Sequence, residues 1–179
     1  PLFFYKLPFL VLPQSYLPLF FSPTPFGGDS AGFGKTTLLS EWVEIEAFQH
    51  AAAAGDIDRA EALIIGKETP LYFRGAVVPV LQWLDSLPLE TLEERPVINI
   101  NYASVLLFMG RTIGVEEKLR SAERKLSTYD KNDRIRDLTG HIAAIRAGLA
   151  LTRHDGKKIF KHSQLALEYL NPNNIPIRT

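Results

Sequence analysis

Residues 135–156 read IRDLTGHIAAIRAGLALTRHDG and carry the clearest helical pattern in this chain. Apolar residues recur there every three or four positions, so they share one face of an α-helix. These residues are Ile135, Leu138, Ile142, Ile145 and Leu149. His154-Asp155-Gly156 follows, with the polar and glycine residues that end helices. We therefore predict an amphipathic helix that buries its apolar face against neighbouring helices.

The same periodicity continues through most of the chain and predicts an all-α fold. Apolar faces recur at about residues 44–54, 57–65, 77–87, 89–94, 98–109, 115–129, 135–153 and 159–169. Glycine or proline separates most of these segments, as at Gly55, Pro88 and Gly110. No segment alternates polar and apolar residues for long enough to predict a strand. Short helices joined by tight turns pack as antiparallel hairpins, so we expect a stack of hairpins.

Three of the predicted turns lie at comparable places in successive hairpins. Gly55, Gly110 and His154 each follow an Ala- or Leu-rich helix and precede a more charged one. Successive turns are 55 and 44 residues apart, whereas a standard tetratricopeptide unit has roughly 34 residues. We predict a tetratricopeptide-like α-solenoid with an irregular repeat over residues 44–179. An ordinary helical bundle without a repeat is the alternative.

Residues 1–26 have a different composition from the rest of the chain. Lys6 is their only charged residue, and six prolines interrupt an apolar run. Proline removes a backbone donor, which a membrane-spanning helix needs. The unbroken apolar run Phe9–Leu12 is too short for a signal peptide. We predict an irregular Pro-rich leader and, because the chain begins with Pro1 rather than Met, a fragment or an incomplete gene model.

The motif with the clearest chemistry is AGFGKTT, residues 31–37. In a phosphate-binding loop, glycines let backbone N–H groups surround the phosphates, a lysine reaches them, and a hydroxyl binds Mg²⁺. The helix that follows such a loop offers its N-terminus to the anion. We therefore predict a phosphate-loop remnant and its helix over residues 27–43. The candidate residues for ATP and Mg²⁺ are Gly32, Gly34, Lys35, Thr36 and Thr37.

The surroundings of this motif argue against ATP binding by the chain. Asp29 stands where the pattern has its first glycine, and an acidic residue there repels phosphate. Pro23 and Pro25 disfavour a supporting strand upstream. The helical segments begin too soon after Lys35 to leave room for a parallel sheet. We therefore predict descent from a nucleotide-binding domain, and no bound cofactor.

Composition disfavours several classes of function. Lys plus Arg and Asp plus Glu each total 20, so the net charge is zero, whereas nucleic-acid-binding domains carry a basic excess. The absence of cysteine suits a reducing cytoplasm, which is the predicted location. No arrangement of nucleophile and base, or of paired carboxylates, predicts an enzyme. The four histidines are scattered and predict no metal site: His50, His141, His154 and His162.

Two other groups of residues have a structural and a functional interpretation. Lys157, Lys158 and Lys161 form a small basic face, which we interpret as a solvated helix surface rather than a DNA contact. Trp83 and Tyr102 are predicted core residues. Their alternative role is to line a concave groove, where aromatic side chains concentrate binding energy.

Two parts of the chain resemble the large ATP-dependent LuxR-type transcription regulators, the group that includes the maltose regulon activator. AGFGKTTLLSEW, residues 31–42, resembles their nucleotide-binding loop. Several segments resemble the start of their tetratricopeptide-like sensor domain: HAAAAGDIDRAEALI, LYFRG, VLQWLDSLP, RPVINI and GHIAAIRAGLALTRHD. The resemblance covers roughly Ala31–Trp42 and Gln49–Thr179.

The resemblance implies a helical superhelix that binds an inducer or a regulatory protein, between a nucleotide-binding domain and a DNA-binding helix-turn-helix. Relative to that plan, the body of the nucleotide-binding domain is missing between Trp42 and Glu44, and the chain stops at Thr179. We predict a truncated sensor module that binds a protein partner or a small-molecule inducer in its groove, without contacting nucleic acid or membrane. A small ATP-binding protein and a non-functional gene remnant are the alternatives.

Overall fold

The computed structural model describes residues 33–66 and 69–171, with side chains from Trp42 onward. Within these ranges all regular structure is helical and no strand occurs, which confirms the predicted all-α fold. The helices are α1 Phe33–Ala53, α2 Ile57–Ile65, a 3-10 helix Leu71–Arg74, α3 Val77–Ser86, α4 Leu89–Glu94, α5 Pro96–Phe108, α6 Val115–Leu126, α7 Asp133–Thr152 and α8 Gly156–Tyr169. The chain divides into two units between Thr36 and Thr37, and the second unit contains most of α1 and all the helices after it. The predicted leader, residues 1–26, lies outside the described residues.

The bounds of the helices follow the sequence pattern closely. The predicted segments 57–65 and 89–94 coincide with α2 and α4. The predicted division between Val43 and Glu44 falls inside α1, which continues without a break. The sequence pattern missed the 3-10 helix, because four residues are too few to show a helical period. Leu71 and Tyr72 in that 3-10 helix are nevertheless buried and join the core.

One backbone pattern closes α1, α5 and α7. After each helix, one N–H donates to the carbonyl five residues earlier, and the preceding N–H donates to the carbonyl three residues earlier. This pair of bonds defines the Schellman motif, in which one residue takes the left-handed conformation. Those left-handed residues are Gly55 (φ 70°), Gly110 (φ 71°) and His154 (φ 55°). All three predicted turn residues therefore hold the same position in the same motif.

Aspartates begin the helices that follow two of these turns. The Asp56 carboxylate accepts a hydrogen bond from the Arg59 N–H at 3.0 Å, and the Asp155 carboxylate accepts one from the Lys158 N–H at 3.1 Å. An N-cap side chain of this kind satisfies a backbone donor that the first helical turn leaves free. The turn after α1 and the turn after α7 thus share both their closing and their starting geometry.

A single apolar core extends from α1 to α7. Phe48 and Trp83 meet edge to face there, with ring centroids 5.7 Å apart. The apolar face predicted for α7 lies in this core: Ile142, Ile145 and Leu149 are buried, and Ile135 and Leu138 pack against them. Helix α5 packs against α6, and α7 packs against α8. The burial of one face of α7 in this core therefore attaches the α7–α8 hairpin to the preceding helices.

Candidate functional site

The residues predicted to bind phosphate lie at the N-terminal end of α1. Gly34, Lys35, Thr36 and Thr37 belong to its first residues. Gly32 lies outside the described residues, as does any strand that would lead into the loop. The described residues therefore place part of the motif at a helix N-terminus, where a phosphate-binding loop has its lysine and hydroxyl.

Trp83 and Tyr102, whose alternative role is to line a concave groove, belong to the core. Trp83 is 8% exposed and Tyr102 is 9% exposed, so the prediction that they are core residues is confirmed. The Tyr102 hydroxyl donates a hydrogen bond to the Asp85 carboxylate, and Lys118 Nζ lies 4.8 Å from the centroid of the tyrosine ring. Burial and the hydrogen bond to Asp85 raise the pKa of Tyr102 to about 12. These contacts tie α3, α5 and α6 together.

The four histidines lie apart from one another. His50 and His154 are exposed, whereas His141 and His162 are half-buried on α7 and α8. His141 Nε2 lies 3.3 Å from the Ser104 hydroxyl oxygen, which links α7 to α5. Across residues 33–66 and 69–171, no group of three histidine or acidic side chains is placed to hold a metal ion.

The described residues of the helical unit line at least two surface clefts. The first, which we call the α5 cleft, has a volume of about 490 Å³ and lies where α5 begins and α6 meets α7. Arg95 on its wall forms salt bridges to Asp58 at 2.6 Å and to Glu61 at 3.1 Å. Arg134 also lines this cleft. The cleft walls therefore carry both signs of charge.

The second cleft, which we call the α8 cleft, has a volume of about 370 Å³ and lies between α6, α7 and α8. Its apolar wall is formed by Leu149 and Ala150. Its polar and charged walls are formed by Glu116, Arg120, Arg146, Arg153, Asp155, Lys158 and His162. Because these residues come from three helices and one turn, only the tertiary structure brings them together.

Arg146 anchors the α8 cleft. Its guanidinium donates hydrogen bonds to Glu123 at 2.8 Å and to Glu116 at 2.9 Å, and its side chain is 19% exposed. The hydrogen bonds to Glu123 and Glu116 raise the pKa of Arg146, although burial opposes this. A half-buried ion pair of this geometry holds the charged groups in fixed positions. The pair joins α6 to α7 directly beneath the cleft.

The sequence had singled out one residue of the α8 cleft for its charge and missed the others. The three lysines of the predicted solvated basic face are all exposed: Lys157, Lys158 and Lys161. Lys158 itself forms a salt bridge to Asp155 at 2.9 Å and lines the cleft. The sequence does not identify Arg120 or Arg153 as candidate site residues, because isolated arginines on predicted helices belong to no recognisable motif.

No protein-family model, curated protein or solved structure matches this chain. The likeness to LuxR-type regulators consequently rests on the motifs quoted above. In the described part of the chain, every helix is too short or too polar to cross a lipid bilayer. The described residues therefore form an all-helical unit whose surface carries the α5 cleft and the α8 cleft.

Proposed function

We propose that residues 44–179 form a partial tetratricopeptide-like repeat module that binds a protein partner or a small-molecule inducer. On this proposal the module derives from the sensor region of an ATP-dependent LuxR-type transcription regulator. The observation that carries it is the recurrence of one turn geometry at Gly55, Gly110 and His154. Repeated units that stack on their neighbours are characteristic of solenoid proteins, which bind through their extended surfaces.

The clefts support the binding part of this proposal. Each lies where consecutive hairpins meet, and their volumes of about 490 and 370 Å³ fall in the range of small-molecule sites. Each has charged side chains that could orient a ligand, beside a smaller apolar part of the wall. No nucleophile accompanied by a base lines either cleft, so binding accounts for their side chains better than catalysis does.

A thermal-shift screen of the purified chain tests this function. Sugars, organic phosphates, carboxylic acids and short peptides are each added in excess, and a true ligand raises the melting temperature in a saturable way. At a concentration 100 times Kd the expected stabilisation is about 2.7 kcal/mol. Arg134→Ala in the α5 cleft and Arg153→Ala in the α8 cleft then locate the ligand. Arg124→Ala, which removes an exposed charge outside both clefts, is the control.

Two results would contradict the proposed function. The first is a screen in which no compound and no peptide gives a saturable shift. The second is an experimental structure without stacked helical hairpins. The derivation from a regulator has a separate test, which is the DNA that flanks the gene. We expect reading frames there that encode a nucleotide-binding domain or a helix-turn-helix, and unrelated flanking genes would count against that origin.

A second candidate function is ATP binding at the phosphate-loop motif. It is supported by the GFGKTT motif and by the helical conformation of Lys35 and Thr36, which are among the first described residues of α1. Calorimetric titration with Mg-ATP, on the chain and on Lys35→Ala, separates this function from the first. We expect no difference between the two proteins, since the sequence offers no supporting sheet. Binding that Lys35→Ala abolishes would establish the second function instead.

A further inference from the structure

We propose that the α8 cleft binds a small phosphorylated organic molecule, an inference that rests on the binding function proposed above. The cleft has more cations than carboxylates on its walls. The cations are Arg120, Arg146, Arg153 and Lys158, and the carboxylates are Glu116, Asp155 and Glu123, which pairs with Arg146. An excess of positive charge in a concave site attracts an anionic ligand.

The cations differ in how many hydrogen-bond donors they have left for a ligand. Arg146 donates four hydrogen bonds to Glu116 and Glu123 and serves as the anchor of the site. Arg120 uses only its Nε, which lies 3.2 Å from Glu116. Arg153 forms no ion pair or side-chain hydrogen bond to any other described residue. The two guanidinium groups of Arg120 and Arg153 therefore face the cleft with donors to spare.

Guanidinium donors and the apolar wall together select the ligand class. An arginine fork matches two oxygens of a phosphate group, and phosphate accepts such charge-assisted hydrogen bonds strongly. Leu149 and Ala150 offer an apolar surface on which the organic part of the ligand can lie. The volume of about 370 Å³ suits a small organic molecule. A bare inorganic anion would leave the apolar wall uncovered.

The half-buried ring of His162 lines the cleft and is a probe for a charged ligand there. Its pKa is lowered first by burial and then by the nearby charges of Arg146 and Lys161, and Lys158 acts in the same direction. Glu116 opposes these effects. A dianion bound in the cleft would favour the imidazolium form and raise the pKa of His162. The ring therefore offers a spectroscopic signal that a distant binding event would leave unchanged.

Calorimetric titration of the full chain tests the proposal with three probes. Glycerol 3-phosphate is the phosphorylated probe, inorganic phosphate lacks the organic part, and glycerol lacks the phosphate. We expect glycerol 3-phosphate to bind more tightly than inorganic phosphate, and glycerol not to bind. Equal affinities for glycerol 3-phosphate and inorganic phosphate would overturn the assignment to an organic ligand. No binding of glycerol 3-phosphate would overturn the site.

Matched variants distinguish this site from general attraction of anions. Arg153→Ala and Arg120→Ala each remove a charge-assisted pair, so each weakens the binding of glycerol 3-phosphate by about tenfold or more. Lys157→Ala and Arg124→Ala remove the same charge from neighbouring exposed positions outside the cleft, and they leave binding unchanged. Equal losses in all four variants would show non-specific attraction. Histidine NMR adds the last criterion: binding that leaves the pKa of His162 unchanged would place the ligand elsewhere.

Failure of this inference and failure of the proposed function give different results. If glycerol 3-phosphate does not bind but another compound or peptide raises the melting temperature, the module still binds and only the ligand class is wrong. If glycerol 3-phosphate binds in the α8 cleft but an experimental structure shows an ordinary helical bundle without a repeat, the ligand site is right and the repeat assignment is wrong.

Discussion

His154 occupies after α7 the same left-handed backbone position that Gly55 occupies after α1, with φ 55° and φ 70° respectively. The next residue is an aspartate in both turns, and each aspartate caps the helix that follows. A side chain in this conformation brings its Cβ close to the backbone, and only glycine avoids that cost. The protein therefore keeps the turn at His154 at the expense of some strain.

Replacing His154 with glycine should stabilise the protein. The substitution removes a left-handed penalty of roughly 1–2 kcal/mol, and the greater freedom of glycine in the unfolded chain offsets about half of that gain. We expect the free energy of unfolding in urea to rise by about 0.5–1 kcal/mol. Gly55→Ala should destabilise the protein, because alanine disfavours the left-handed conformation at this position. Crowding adds nothing to that cost, since no atom lies within 4 Å of the added Cβ. Gly156→Ala, which has open space and no positive φ, is the control and should not destabilise.

Gly140→Ala should destabilise the contact between α7 and α8. A Cβ at this position would lie 2.6 Å from the Leu170 backbone nitrogen, which cannot move without displacing the end of α8. Overpacking of this kind costs roughly 1–3 kcal/mol, more than alanine gains in helix propensity. Gly148→Ala on the same helix would meet only Leu107 Cδ2, the mobile end of a side chain. Urea unfolding of both variants tests this, and equal effects would contradict it.

Replacing Arg146 with methionine should weaken the protein, because Glu116 and Glu123 lose their shared guanidinium. We expect a loss of about 1–2 kcal/mol in the free energy of unfolding. Arg124→Met removes an exposed arginine from α6 and should change stability by less than about 0.5 kcal/mol. A double-mutant cycle with Glu123→Gln measures the coupling directly. Fully additive effects of the two substitutions would show that the pair contributes nothing.

The stability of the protein should fall as the pH drops from 6.5 towards 4. Burial lowers the pKa of His141 from 6.5 to about 4, and the nearby Asp137 only partly opposes this. Between these two pH values the unfolded chain binds a proton that the folded protein does not. The neutral ring therefore makes its full contribution to stability above pH 6.5. As the pH falls to about 4, the free energy of unfolding decreases by about 3 kcal/mol.

Chemical unfolding at pH 7.5 and at pH 4.5 measures this contribution. His141→Gln keeps a polar side chain near Ser104 but cannot titrate, so the pH dependence should become smaller. His50→Gln replaces an exposed histidine and should leave the pH dependence as it is. The same pH dependence in the protein and in His141→Gln would contradict a role for this ring.

Most of the fold could be predicted because helices and their ends are local. The apolar period of residues 135–149, the turns at Gly55 and Gly110, and the short helix before Pro96 are each specified within a few neighbouring residues. The 3-10 helix at Leu71 could not be predicted, since burial against distant helices holds it and not a period of its own. The phosphate-loop motif, by contrast, has Asp29 in place of the first glycine of its pattern, and its function would also depend on a supporting sheet.

The candidate site could hardly be predicted at all. Arg120, Arg146 and Lys158 meet only because α6, α7 and α8 pack together, and nothing in the local sequence of any one of them specifies the other two. By itself, then, the sequence determined the helices, their caps and the recurring turn, since backbone hydrogen bonds and apolar periodicity act over short distances. The tertiary structure alone decided which charges share a cleft, because that depends on how the buried faces of separate helices fit together.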